Sequence, residues 1–171
     1  SIKYQLIDSD QECCLLKKVI EHKQQADVKA AILMILEECK AYSIDAVGHR
    51  VVHGGVSRHA QSIDAAVIEQ ISQCSHLAPL HNPHNLAGII ACRELLNDIP
   101  QVAVFDTAFH STLPRRASTY AIPQDVAAKH GIRRYGFHGS SHSYVAEVAA
   151  NHLKQNLKDL RIISLHLGNG A

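Results

Sequence analysis

The chain has 171 residues, 46% of them hydrophobic, with 17 Lys and Arg nearly balanced by 16 Asp and Glu. That length and apolar content fit one globular domain or slightly more. A net charge of +1, 5% aromatic residues and no Trp exclude a nucleic-acid binder, which needs a basic stripe or stacking platforms. No apolar run approaches the ~18–20 residues of a membrane span, and no signal-peptide core opens the chain, so no membrane partner and a cytoplasmic location are expected.

Ile2–Ile7 alternates apolar Ile2, Tyr4 and Leu6 with polar Lys3 and Gln5, the pattern of a half-buried strand. Asp27 is placed to cap a helix whose Val28, Ala31, Ile32, Ile35, Leu36 and Cys39 repeat at helical spacing. Ala46–His53 reads as a strand. A helix from about Asp64 carries Val67, Ile68 and Ile71, and another opens at Pro83 and buries Leu86, Ile89, Ile90 and Leu96. Val102–Phe105 is a short buried strand. Beyond it, Val126–His130 forms a short helix stopped by Gly131, and a long helix runs from about Ser141 to Leu157 with Val145, Val148, Ala149 and Leu153 as its apolar stripe. Arg161–Leu167 is predicted as the last strand. Strands and helices alternating at these lengths specify an α/β fold.

Five cysteines without C-x-x-C spacing leave an odd thiol in any full pairing, so reduced thiols are expected. Thirteen histidines raise the question of zinc. His81 and His84 are three apart and His138 and His142 four apart, but Pro83 interrupts the first pair and no H-E-x-x-H occurs.

Five blocks carry chemistry. In Gly48–Gly55, GHRVVHGG, a strand's two-residue period puts Arg50 and Val52 on one face and His49, Val51 and His53 on the other. A guanidinium fork beside a branched apolar side chain suits a small carboxylic acid; the plainer alternative is a solvent-facing edge strand. Leu77–Asn85, LAPLHNPHN, presents Leu80 and His81 on a loop stiffened by two prolines, which is also ordinary turn and capping chemistry. Val102–Phe109, VAVFDTAF, ends a strand in Asp106, where open α/β sheets place their ligand crevice. Ile132–His142, IRRYGFHGSSH, crowds two arginines, two histidines, two glycines and two serines before a helix start, as an anion site or a polar turn would. His166–Gly170, HLGNG, is either a hairpin turn or a phosphate-facing loop. Ser141 with a histidine and Asp106 could also be read as a hydrolase triad, although the G-x-S-x-G elbow fails at its last glycine.

In this order the five blocks resemble the acetokinase family, strongly from Ala46 to Ala171, and Ser1–Asp8 is similar to the strand after that family's Asn-x-Gly-Ser-Ser phosphate loop. The resemblance implies a partial fold of the acetate and sugar kinase, Hsp70 and actin superfamily (ribonuclease H-like). Residues 1–110 would form the N-terminal domain and residues 111–171 the start of a second, nucleotide-binding domain. It also implies reversible transfer of the ATP γ-phosphoryl group to acetate, giving acetyl phosphate and ADP, with Mg²⁺ or Mn²⁺ and a homodimeric assembly. Arg50, Asp106 and His138 would be catalytic; Val52, Leu80 and Phe137, with Arg50, would hold the substrate. His81, His138, Gly168, Asn169 and Gly170 would face phosphate or nucleotide, and Asp106 would reach the metal only indirectly. Because acetate is already ionised at neutral pH, Asp106 is expected to orient rather than to take a proton.

By the same resemblance, Val52 stands where propionate-preferring members tend to have a smaller residue and leaves little room beyond a methyl group, so acetate is expected ahead of propionate. A non-catalytic anion-binding module is the alternative from another class. Departures from the family pattern are Ser140 in place of a usual Thr, Val56–His59 after the glycine pair, and a short Asp8–Asp27 connection. With the first phosphate loop and everything past Ala171 absent from it, this chain by itself is expected to be an incomplete, inactive piece.

Overall fold

The computed structural model describes residues 2–21 and 28–168. The expected cap at Asp27 and the turn residues Asn169 and Gly170 lie outside them.

Two small sheets organise the chain. β1 (Ile2–Asp8) pairs antiparallel with β2 (Cys13–Ile20), and the register shifts between Leu6 and Ile7. The reversal between them is fixed by Asp8, whose Oδ1 accepts from the N–H groups of Asp10 and Gln11 at 3.0 Å each, and by Glu12 in the left-handed region at φ 50°. β2 was not expected, because CCLLKKVI lacks clean alternation, and only Cys13, Leu16 and Ile20 are partly covered.

The second sheet has the order β3-β5-β4. β3 (Val47–Val51) runs parallel to β5 (Gln101–Phe105), and the two-residue β4 (Gln61–Ser62) is antiparallel to β5. Parallel neighbours need a long crossover, supplied here by α2 (Ala65–Gln73) and α3 (Asn82–Leu95). Asp64 caps α2, its carboxylate accepting from Val67 N–H at 2.8 Å. Val51, Val67, Ile71, Ile89, Ala103 and Phe105 form the core beneath this sheet. A second cluster joins Val28 and Ile32 of α1 (Val28–Cys39) to Ala91 and Cys92 of α3. Gly54 shows how close the packing is: a Cβ there would stand 2.3 Å from the Phe105 ring.

The remaining α-helices among the described residues are α4 (Arg115–Ser118), α5 (Gln124–His130) and α6 (Gly139–Leu153). Gly131 ends α5 in the left-handed conformation, as expected. α6 starts two residues earlier than expected and ends four earlier, where Lys154 turns left-handed.

Three expectations about the apolar pattern need correction. Ile90 is exposed, because the side of α3 that is buried is the one carrying Asn82, Ile89, Ala91 and Cys92. Val145, Val148 and Leu153 of α6 are also exposed; the side that packs down is Gly139 and Ala150. Residues 161–167 form no strand: no neighbouring strand pairs with them among the described residues, and Ile163, Leu165 and Leu167 stand open to solvent.

Candidate active site

The C-terminal ends of β3 and β5 meet at a cleft of about 840 Å³, lined by Arg50, Val52, the Leu77–His81 loop, Asp106, Phe137, His138, His142, His166 and Gly168. The two-residue period of β3 behaves as expected, with Val51 and His53 in the core and Arg50 and Val52 on the cleft. Arg50, Val52, Leu80, His81, Asp106, Phe137, His138 and Gly168 are thus brought together from all five blocks.

Asp106 organises the centre. Its side chain is 1% exposed, whereas that of Arg50 is 63% exposed. Arg50 donates from Nε to Oδ1 at 3.1 Å and from Nη2 to Oδ2 at 2.5 Å, and Ser140 Oγ donates to Oδ1 at 2.9 Å. A buried carboxylate with these three donors is satisfied. The pairing holds the guanidinium by one edge and leaves it further N–H donors for an anion in the cleft.

The end of β3 is secured by two residues that the sequence pattern did not single out. Past Val51 the strand has no ladder, and α3 supplies substitutes. Asn85 Oδ1 accepts from Val52 N–H at 3.2 Å, and Asn82 Oδ1 accepts from His53 N–H at 3.0 Å while its Nδ2 donates to His53 C=O at 2.9 Å. Thr107 Oγ1 accepts from Gly54 N–H at 3.1 Å. Leaving any such buried group unpaired costs about 1–3 kcal/mol. The usable signal was the pair of asparagines in NPHN, spaced to share one helix face. His81 is the N-cap of α3, yet its side chain makes no capping bond, and it lines the cleft instead.

On the opposite wall, His138 occupies the left-handed region at φ 57°, a strained position for a non-glycine residue. Its carbonyl accepts from Ser141 and His142 N–H and so starts α6. Gly139 N–H donates to the Asp106 carbonyl at 3.1 Å, and a Cβ at Gly139 would fall 2.0 Å from that oxygen. This first amide of α6 therefore clasps Asp106, a correction to the expectation that the helix start presents its N–H groups to an anion. Burial pushes the His138 imidazole below the ordinary histidine value; His166 acts in the same direction and Asp106 opposes it. The His138 and His166 rings are 4.2 Å apart, and His166 Nδ1 lies 3.0 Å from Ser141 Oγ. His142 Nδ1 lies 2.8 Å from Ser164 Oγ. Neither His142 nor His166 was singled out for the cleft.

The hydrolase triad is not assembled. Ser141 partners His166, but Asp106 is engaged by Arg50 and Ser140. Arg133 and Arg134 pack at the surface, over the rings of Tyr135 at 5.7 Å and Tyr120 at 5.9 Å.

Comparison with known proteins decides the family, since the model of the acetokinase family matches residues 1–171. The chain belongs to the acetokinase family. An acetate kinase of Halothermothrix orenii is 47% identical over all of this chain and 51% of its own length. One from Clostridioides difficile is 42% identical over all of this chain and, again, 51% of its own. A crystal structure of Porphyromonas gingivalis acetate kinase superposes with a TM-score of 0.83 at 39% identity, covering 98% of this chain and 50% of that one. A propionate kinase from Francisella tularensis gives 0.79 at 39% identity, covering 90% and 46%. The fold is therefore that of the acetate and sugar kinases, and the chain spans about half the length of the curated relatives it matches.

Acetokinases are expected to use a divalent cation with ATP. Both Asp106 oxygens are already engaged by Arg50 and Ser140, and no group of three or more His, Cys, Asp or Glu side chains suited to a metal gathers among the described residues. The described cleft residues assemble no ligand set of their own for a directly held metal.

Proposed function

We propose that this cleft is the acyl and phosphoryl site of a carboxylate kinase that transfers the ATP γ-phosphoryl group to acetate. The observation that carries the reading is the Arg50–Asp106 pair beside Val52. A cation held by a buried carboxylate stands next to the apolar side chains of Val52, Leu80 and Phe137. Val52, Leu80 and Phe137 provide the apolar side, and His81, His138 and Gly168 the polar side; the family resemblance assigns Asn169 and Gly170, outside the described residues, to the nucleotide.

Acetate needs no base, because it is ionised at neutral pH. One carboxylate oxygen attacks the γ-phosphorus while the bond to the β,γ-bridging oxygen breaks, and that electron pair leaves with ADP. Catalysis then consists of positioning and charge stabilisation. Arg50 holds the acyl oxygens, Asp106 fixes the angle of Arg50, and His138 donates to the oxygens of the transferred group. Both apolar clusters draw only on residues up to Ala108. This supports residues 1–110 as one domain and residues 111–171 as the start of the nucleotide-binding one.

The test uses the full-length protein bearing this sequence, with ATP, Mg²⁺ and acetate, and traps acetyl phosphate with hydroxylamine. Hydroxamate is expected to require both ATP and acetate. Arg50→Ala should raise the acetate KM and lower kcat together, by about 10²-fold or more in kcat/KM, while the protein stays folded. A loss of stability without that kinetic loss would return Arg50 to the plain role of an edge-strand residue.

A further inference from the structure

His53 is the least accessible imidazole near the cleft, yet it points away from it. It follows Val52 just past the end of β3, turned to the opposite side, and is 1% exposed. Both of its backbone groups are held by Asn82. Its Nδ1 accepts from Gly55 N–H at 3.0 Å, which requires a lone pair there and so a neutral ring. That ring meets two others edge-on, Tyr135 at 4.4 Å with an interplanar angle of 66° and Phe137 at 6.1 Å with 64°. Both separations lie in the range where aromatic pairs have a preferred geometry.

Phe137 is 47% exposed and lines the cleft, so few neighbours define its position. One is His110, whose Nε2 donates to the Phe137 carbonyl at 2.9 Å and holds the backbone. Another is the His53 ring, which backs the side chain. His53 thus touches the cleft twice without entering it: through its peptide bond it carries Val52, and through its ring it backs Phe137.

We propose that His53 is a positioning residue that sets the gap between Val52 and Phe137 and thereby the length of carboxylate the cleft admits. The inference rests on the carboxylate-kinase reading above. A residue that served the core alone would stabilise the fold without altering the choice between two acyl chains.

Two substitutions in the full-length protein separate the ring from the acceptor. His53→Asn keeps an acceptor near Gly55 N–H and removes the ring. His53→Phe keeps the ring and removes the acceptor. The readout is the propionate-to-acetate ratio of kcat/KM, with Tm measured alongside. His53→Asn should raise the ratio by about two- to tenfold, the range of one aromatic contact. His53→Phe should lower Tm and leave the ratio within about twofold of the parent, within the smallest shift expected from losing that contact. If His53→Asn does not fold, His53→Leu removes the ring while keeping apolar volume and should shift the ratio in the same direction. An unchanged ratio in a folded ring-less variant, or an equal shift in His53→Phe, overturns the positioning role alone. A parent protein that phosphorylates neither acid overturns the carboxylate-kinase reading, and this one with it.

Discussion

A guanidinium at the mouth of an open cleft would ordinarily sample many rotamers; Arg50 is held because Asp106 takes one edge of it from beneath. Such residues were legible in the sequence because their chemistry is local: a strand period sorts Arg50 and Val52 from Val51 and His53, and a carboxylate at a strand's end marks Asp106. The supporting residues were less legible. Asn82, Asn85 and Ser140 act on backbone and side chains 29, 33 and 34 positions away, and no spacing rule reports a contact made only by folding. The buried His53 and the half-buried His49 carry a prediction of their own. Burial holds His49 and His53 below the ordinary histidine value; the His76 field adds to this at His53, and the Gln101 bond opposes it at His49. The unfolded chain therefore binds protons below about pH 6.5 that the folded chain refuses. Their stabilising contribution is present above that pH and is lost as pH falls through the lowered values. Urea midpoints are expected to drop between pH 7.5 and 5.5, above the usual carboxylate range, and to drop less in His53→Asn; a flat profile would show that neither ring is excluded from protonation.

Elements place these residues through their ends. β3 and β5 run parallel, so their C-terminal ends bring Arg50 and Asp106 to one edge, while α3 lends its first turn to β3 and α6 lends its first amide to Asp106. α1 was legible because one apolar face is buried throughout, against α3. β2 was not, because both faces of the β1–β2 hairpin remain largely open and no alternation is imposed. Residues 161–167 carried strand-like alternation but have no partner strand among the described residues, and pairing is what makes a strand. The start of α6 offers the test at this scale. Gly139→Ala would drive a Cβ into the Asp106 carbonyl, so His138 and the Asp106–Arg50 pair must shift. Activity of the full-length protein should fall by about 10²-fold with a Tm loss of a few degrees; wild-type turnover would show that the contact at Asp106 is not needed.

At the scale of the molecule, β1 and β3 face each other across a groove of about 1000 Å³, lined also by α1 residues such as Ile32, Ile35 and Leu36. The two sheets are thus not joined by any strand among the described residues. The alignment with the Halothermothrix orenii relative runs over 208 positions against 171 residues here. What the chain holds as a whole is one side of a cleft, with an apolar wall, a fixed cation and a histidine-rich far wall; in the function proposed above this is the acyl side. That the apolar wall selects the acyl group is tested most directly by Val52→Ala in the full-length protein, reading the propionate-to-acetate ratio of kcat/KM. Removing two methyl groups beside Arg50 should shift the ratio toward propionate by about tenfold, the scale of one methylene in an apolar pocket, while an unchanged ratio would contradict the assignment of this cleft to the acyl chain.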